Sequence, residues 1–158
     1  MERAPFLRTL ESCLNRISID LQSVQNVVET VLSSENQSAD FLSVEFLSDA
    51  KTRRLHKKFF GDPSPTDCMS FPIDLDCHQS PRHLGDIFIC PKTALTHADN
   101  DLDVFFDELT LYLVHGVLHL LGYDDVTPEK RKIMRQREGR VMKRLRQNGQ
   151  ILSGKLEL

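Results

Sequence analysis

The chain lacks any apolar run near the roughly eighteen residues that a membrane-spanning helix requires, so no spanning segment is expected. Its opening stretch, MERAPFLRTLESCLNR, carries acidic residues early and has no apolar core, so an export signal is not expected either. The four cysteines, Cys13, Cys68, Cys77 and Cys90, form no C-x-x-C pair. They read as reduced thiols of a cytoplasmic protein. There is no internal repeat and no linker, and 158 residues with 40% apolar and 27% charged content suit one domain over residues 1–158. Nor is there an overall positive charge, since the net balance is −3.

The distribution of charge says more than its sum. Residues 126–150 hold nine Lys/Arg against two Glu, and KTRRLHKK at 51–58 adds five more cations. Acids gather elsewhere, as at Asp99, Asp101, Asp103, Asp107 and Glu108. Such runs are solvated faces in many proteins, but two of them in one chain also suit a polyanionic substrate.

The most informative stretch is His115-Gly-Val-Leu-His119-Leu-Leu-Gly122-Tyr-Asp-Asp125. On a helix, residues four apart lie about 40° apart on one face, a turn above one another, so two imidazoles can grip one ion. Gly122 tolerates the left-handed conformation that ends a helix and lets the chain turn back. The chain can then bring Tyr123-Asp124-Asp125 toward the same ion; Asp125 is the expected third ligand, the alternatives being Asp124 as ligand or Asp125 as an exposed helix-cap acid. Three ligands leave one position open, as in catalytic rather than structural zinc sites. Metalloproteases with a two-histidine helix carry Glu beside the first histidine as general base; here that place is Gly116, which argues against proteolysis.

Hydrophobic periodicity and punctuation outline the rest. NRISIDL (15–21), FLSVEFL (41–47), CMSFPI ending at Pro72, and LGDIFIC (84–90) read as strands. Val24, Val27, Val28 and Val31 mark a helix with Ser23 as its N-cap; Ser48 caps a second over SDAKTRRLHKKFF. GDPSPTD (61–67) is a loop, Pro91 opens a short helix, and the metal helix runs from about Leu102 to Leu121. Thr127-Pro128 opens the last helix, which ends near Asn148-Gly149; the tail ILSGKLEL has no clear signal. The expected fold is α+β: a small mixed β-sheet packed against several helices, with the two-histidine metal helix in the C-terminal half.

The run HGVLHLLGYDD resembles the signature of the YbeY family, the metal-dependent endoribonucleases of bacterial ribosomal RNA maturation, which reads H-G-x-L-H-L-x-G-Y-D-H. LHKKFFGDPSPTDCMSFP (55–72) is similar to the family stretch ending P-T-D-V-L-S-F-P, and Leu84-Gly85-Asp86-Ile87 to its L-G-D-I strand; together the pieces span about 42–146. The resemblance implies a zinc-dependent, single-strand-specific endoribonuclease, a hydrolase of phosphodiester bonds. It implies a role in late ribosome maturation and quality control at the 3′ end of 16S rRNA. Its partners would be rRNA precursors and the small ribosomal subunit, not DNA or membrane. One Zn2+ per chain, or another divalent transition metal, would be held by His115, His119 and Asp125. Glu108, seven residues before His115 on the same helix face, is a candidate to orient a ligating histidine; its alternative is an exposed acid. Thr66, Asp67 and Ser70 are candidates to line the cleft, with turn chemistry as the alternative.

Two positions depart from the family. Asp125 stands where the third ligand is His; a carboxylate is an acceptable zinc ligand but makes the ion a weaker Lewis acid, and it also suits iron or manganese. Phe60 stands where the family commonly has Arg, which removes a cation able to hold a phosphate. Both keep open a second reading: a ribosome-associated RNA-binding factor whose metal is structural.

Overall fold

The protein is described by a computed structural model covering residues 6–10, 17–78, 80–99 and 101–156. Cys13 and the first two residues of the expected 15–21 strand lie outside the described residues. The elements run β1 (Phe6–Leu10), β2 (Ile17–Ile19), α1 (Leu21–Ser34), β3 (Phe41–Phe46), α2 (Asp49–Phe60), β4 (Cys68–Pro72), β5 (His83–Ile89), α3 (Pro91–Ala98), α4 (Leu102–Leu120), α5 (Pro128–Gln147) and β6 (Gly154–Leu156). The main sheet has the order β1-β3-β5-β4, with β4 antiparallel to β5 and the other pairs parallel. A second ribbon pairs β2 with β6 in antiparallel fashion. The fold is the expected α+β, with a small mixed sheet and the two-histidine helix in the C-terminal half.

Helix α4 is the centre of the packing. It lies on β4 and β5 and touches α1, α3 and α5. Phe105, Leu109, Leu113, Val114, Val117, Leu118 and Leu120 are all fully buried along it. Each such side chain contributes about 1.5–3 kcal/mol by leaving water. The crossing of α4 over the sheet is close at Gly116. A Cβ built there would meet Ile87 Cγ2 at 2.9 Å and Cys68 Sγ at 3.0 Å. The residue that argued against a protease is therefore also the one that lets the helix sit down on the strands.

The caps follow the sequence where the signal is local. Ser48 accepts from Lys51 N, Pro91 opens α3, and Thr127 accepts from Lys130 N ahead of Pro128. One cap differs from expectation. Asp20, not Ser23, is the N-cap of α1, accepting from Gln22 N at 3.2 Å. Ser23 lies one turn inside, buried, where its hydroxyl donates to the Asp20 carbonyl and accepts from Ser153 N. That last bond explains a second difference: the unmarked tail returns to the body as β6, held by tertiary partners instead of its own propensity. Strand β1 likewise carries no alternating pattern and is defined by its pairing with β3.

Candidate metal centre

The last turn of α4 and the turn after it build the site. Leu121 is the C-cap, and Gly122 takes φ +103°, a left-handed conformation that suits glycine. Gly122 N donates to His119 O at 3.0 Å and Tyr123 N to Leu118 O at 3.1 Å, the paired bonds of a Schellman ending. This reversal carries the chain back over the histidine face. His115 Nε2 and His119 Nε2 lie 2.9 Å apart. Asp125 closes the group, with Oδ2 3.6 Å from His115 Nε2 and Oδ1 3.7 Å from His119 Nε2. One ligand atom from each of the three residues falls within 4.8 Å of the others.

This donor set fits a small divalent cation. Tetrahedral ligands about 2.0–2.2 Å from a zinc ion stand roughly 3.3 Å apart, close to the spacings here. The tautomers fit as well. Glu138 on α5 lies 2.5 Å from His115 Nδ1, so that nitrogen carries the proton and donates, leaving the Nε2 lone pair turned to the other ligands. His119 has a hydrogen bond to the Tyr123 backbone. Two lone-pair nitrogens and a carboxylate converging on one point repel one another unless a cation lies between them.

Electrostatics separate the two rings. Burial works against protonation of His115, but the Glu138 hydrogen bond and charge, with Asp125 and Asp67, outweigh it and hold its pKa above the usual histidine value. For His119, burial and the neighbouring His115 hold it below that value, although Asp125 pulls the other way. Both rings are half-buried, with about a quarter of each side chain exposed, so the site opens to solvent on one side.

Asp124 points elsewhere. Its carboxylate accepts from Lys130 Nζ at 2.9 Å and from Val126 N at 3.2 Å, and these bonds hold it below the usual carboxylate range. Of the two consecutive acids, Asp125 is the one turned to the histidines. Glu108 is also engaged elsewhere: its carboxylate lies 3.6 Å from His97 Nε2, at the side of α4 that faces α3. The acid on His115 Nδ1 is Glu138, which the sequence reading did not single out. Its one signal was being one of only two acids in the basic stretch 126–150.

Among the cleft candidates, Ser70 donates to Gly116 O at 3.1 Å, tying β4 to the metal helix. Asp67 accepts from Cys68 N at 2.7 Å while acting electrostatically on His115, and the Thr66 carbonyl accepts from Thr93 Oγ1. Phe60 is 57% exposed and packs on Phe71 and His56. The cations Arg54, Lys57 and Lys58 on α2 and Lys132, Arg135 and Lys143 on α5 are exposed. No helix among the described residues is long and apolar enough to cross a membrane.

Comparison with known proteins agrees with this architecture. Residues 10–146 match the family model described as endoribonuclease YbeY. The chain is 40% identical to an endoribonuclease YbeY of Protochlamydia amoebophila over 131 residues, 82% of this chain and 87% of the relative. It is 37% identical to that of Chlamydia abortus over 157 residues, 97% of this chain and 99% of the relative. The solution structure of a Thermotoga maritima protein superposes with a TM-score of 0.56 at 23% identity, covering 92% of this chain and 95% of that one, which supports the fold. With its two-histidine helix, its glycine reversal and a family match reaching from β1 through α5, the chain belongs to the endoribonuclease YbeY family.

Proposed function

We propose that this chain is a metal-dependent endoribonuclease that cleaves single-stranded RNA, with residues 1–158 acting as one domain. The observation that carries the reading is the convergence of His115, His119 and Asp125, with Glu138 on His115 Nδ1, in a chain whose sequence matches the endoribonuclease YbeY model. The relatives named above are named as endoribonucleases.

His115, His119 and Asp125 would hold the ion, zinc being the first choice for two imidazoles and a carboxylate. Such a cation, when bound, supplies Lewis-acid stabilisation of the charge that builds on a phosphate and promotes ionisation of water. The chain's own groups do the rest. Glu138 keeps His115 in one tautomer and fixes its ring. Asp67 adds negative charge near the pair, which favours the cation. The exposed cations of α2 and α5 draw the RNA backbone in. A flexible single strand suits a half-open site better than a duplex, because it can bend to align an oxygen with the scissile phosphate.

The proposed substrate is precursor ribosomal RNA at the 3′ end of 16S rRNA, met on the small subunit in the cytoplasm. The test is to incubate purified protein, with and without chelator, with single-stranded and duplex RNA. Chelator-sensitive cleavage of the single strand supports the reading. Tight binding without cleavage, unchanged in His115→Ala, would make the chain an RNA-binding factor with a structural metal. The exposed Phe60, standing where a cation would otherwise meet phosphate, is the feature that favours that second reading.

A further inference from the structure

We infer that Glu35, Tyr123 and Arg137 form a clamp that positions the metal-binding turn, so that Glu35 acts on metal affinity from the end of α1. This rests on the metal site proposed above. Glu35 is the C-cap residue of α1, and only 6% of its side chain is exposed. A carboxylate so buried is costly unless it is paired and hydrogen-bonded. Its Oε2 accepts from the Tyr123 hydroxyl at 2.7 Å, across 88 residues of sequence. The same oxygen lies 3.5 Å from Arg137 Nη1 on α5. The Arg137 guanidinium also sits over the Tyr123 ring, 5.5 Å from its centroid.

Each partner leads directly to the ligands. Tyr123 follows the glycine reversal, precedes Asp125 by two residues, and hydrogen-bonds His119 through its backbone. Arg137 precedes Glu138, whose carboxylate meets His115 Nδ1. The clamp therefore touches the turn that presents Asp125, the backbone that meets His119, and the helix that orients His115. Further on, Arg131 Nη1 donates to Asp125 O at 3.2 Å and Val126 O at 3.4 Å, so α5 also grips the far end of the same turn. The backbone bonds of Gly122 and Tyr123 and the Asp124–Lys130 pair hold the turn to its own helix ends, but on its outer side Gly122 is exposed and an open cavity lies beside it, bordered by Glu35, Gln37, Leu121 and Tyr123. Removing the Tyr123 hydroxyl leaves its ring in place but frees the turn to move and strands the buried carboxylate with its distant guanidinium alone.

The experiment measures Zn2+ affinity of the purified full chain by competition with a chromophoric chelator. The absorption spectrum of the Co2+ form reports ligand geometry, and thermal melting of the chelator-treated protein reports the fold. Tyr123→Phe is expected to lower Zn2+ affinity about tenfold and to alter the Co2+ spectrum, while the metal-free protein still melts cooperatively, only a few degrees lower for the lost partner of the buried carboxylate. Glu35→Ala should lose at least as much, whereas Glu35→Gln, whose amide oxygen still accepts from the tyrosine, should stay within about threefold of wild type. Wild-type affinity and spectrum in Tyr123→Phe would overturn the clamp. So would an affinity loss in Tyr123→Phe matched by collapse of the metal-free melt, or equal losses in Glu35→Gln and Glu35→Ala. Failure of the wild-type chain to bind Zn2+ or Co2+ would instead overturn the metal site itself.

Discussion

The carboxylate of Glu138 and Nδ1 of His115 meet at 2.5 Å although 23 residues and a helix-to-helix turn separate them. A metal-ligating histidine usually donates its second ring N–H to such a partner, which sets the tautomer and raises the basicity of the ligating nitrogen. Only 15% of the Glu138 side chain is exposed, so the bond is shielded from solvent competition. Glu138→Ala should therefore weaken Zn2+ binding by about 10–100-fold. Glu138→Gln, which keeps an acceptor oxygen but not the charge, should fall between it and wild type. Chelator competition on the purified variants reads both, and equal affinity in all three proteins would remove Glu138 from the site.

The two acids after Tyr123 should behave differently. Among the described residues Asp125 is the carboxylate that lies near both imidazoles, so Asp125→Ala should sharply lower metal occupancy. Asp124→Asn breaks an ion pair with Lys130 and leaves Asp125 beside both imidazoles, so occupancy should be little changed. Elemental analysis of the two variants after dialysis against metal-free buffer separates them. Full occupancy in Asp125→Ala would transfer the ligand role to another residue.

What the sequence made legible was local. The i,i+4 histidines, the Gly122 stop and the returning Asp125 lie within eleven residues, so helical spacing and one turn rule suffice to bring them together. Ser48 and Thr127 mark helix starts for the same reason, since a cap is satisfied by its own first turn, and Pro91 does so because its fixed φ suits the first helical position. Glu138 was hidden because its partner lies on another helix, and a glutamate in a basic stretch reads as solvated surface. Glu108 is the converse. Its seven-residue spacing from His115 does place it along the helix, but spacing does not say which neighbour a helix side meets, and there it meets His97 of α3. Strands β1 and β6 carry no pattern of their own, and Ser23 bears the chemistry of a cap but serves the tail. In each case the deciding partner lies on another element of the fold.

Gly116 ties the fold to the chemistry. Gly116→Ala gains helix propensity of about 1 kcal/mol, yet its new methyl group would press on Ile87 Cγ2, Cys68 Sγ and Ser70 Oγ at 2.9–3.3 Å. The first is a branch methyl held close to the β5 backbone and cannot swing away, and overpacking of this kind costs about 1–3 kcal/mol. The net expectation is a loss of about 1 kcal/mol, read as a lower urea midpoint at unchanged slope. A midpoint above wild type would mean that α4 has room to lift from β4 and β5.

Charge should govern RNA binding more than contact detail. Single-stranded RNA held by phosphate contacts releases counterions, so log affinity falls with log salt at about −0.7 per phosphate neutralised. Helix α2 presents Arg54, Lys57 and Lys58 to solvent, and α5 presents Lys132, Arg135 and Lys143 along one face, opposite the side that buries Met134, Val141 and Leu145. If all three cations of a set reach phosphate, replacing that set with alanine should reduce the salt slope by about 2. The expected result is such a reduction for each triple, measured by fluorescence anisotropy of a labelled single strand in chelator so that no cleavage intervenes. These side chains lie outside the metal cluster, so Zn2+ affinity should be unaffected in both triples, which keeps substrate capture separate from the metal site. An affinity that stays flat from low to physiological salt in the wild-type protein would overturn the electrostatic reading of both helices.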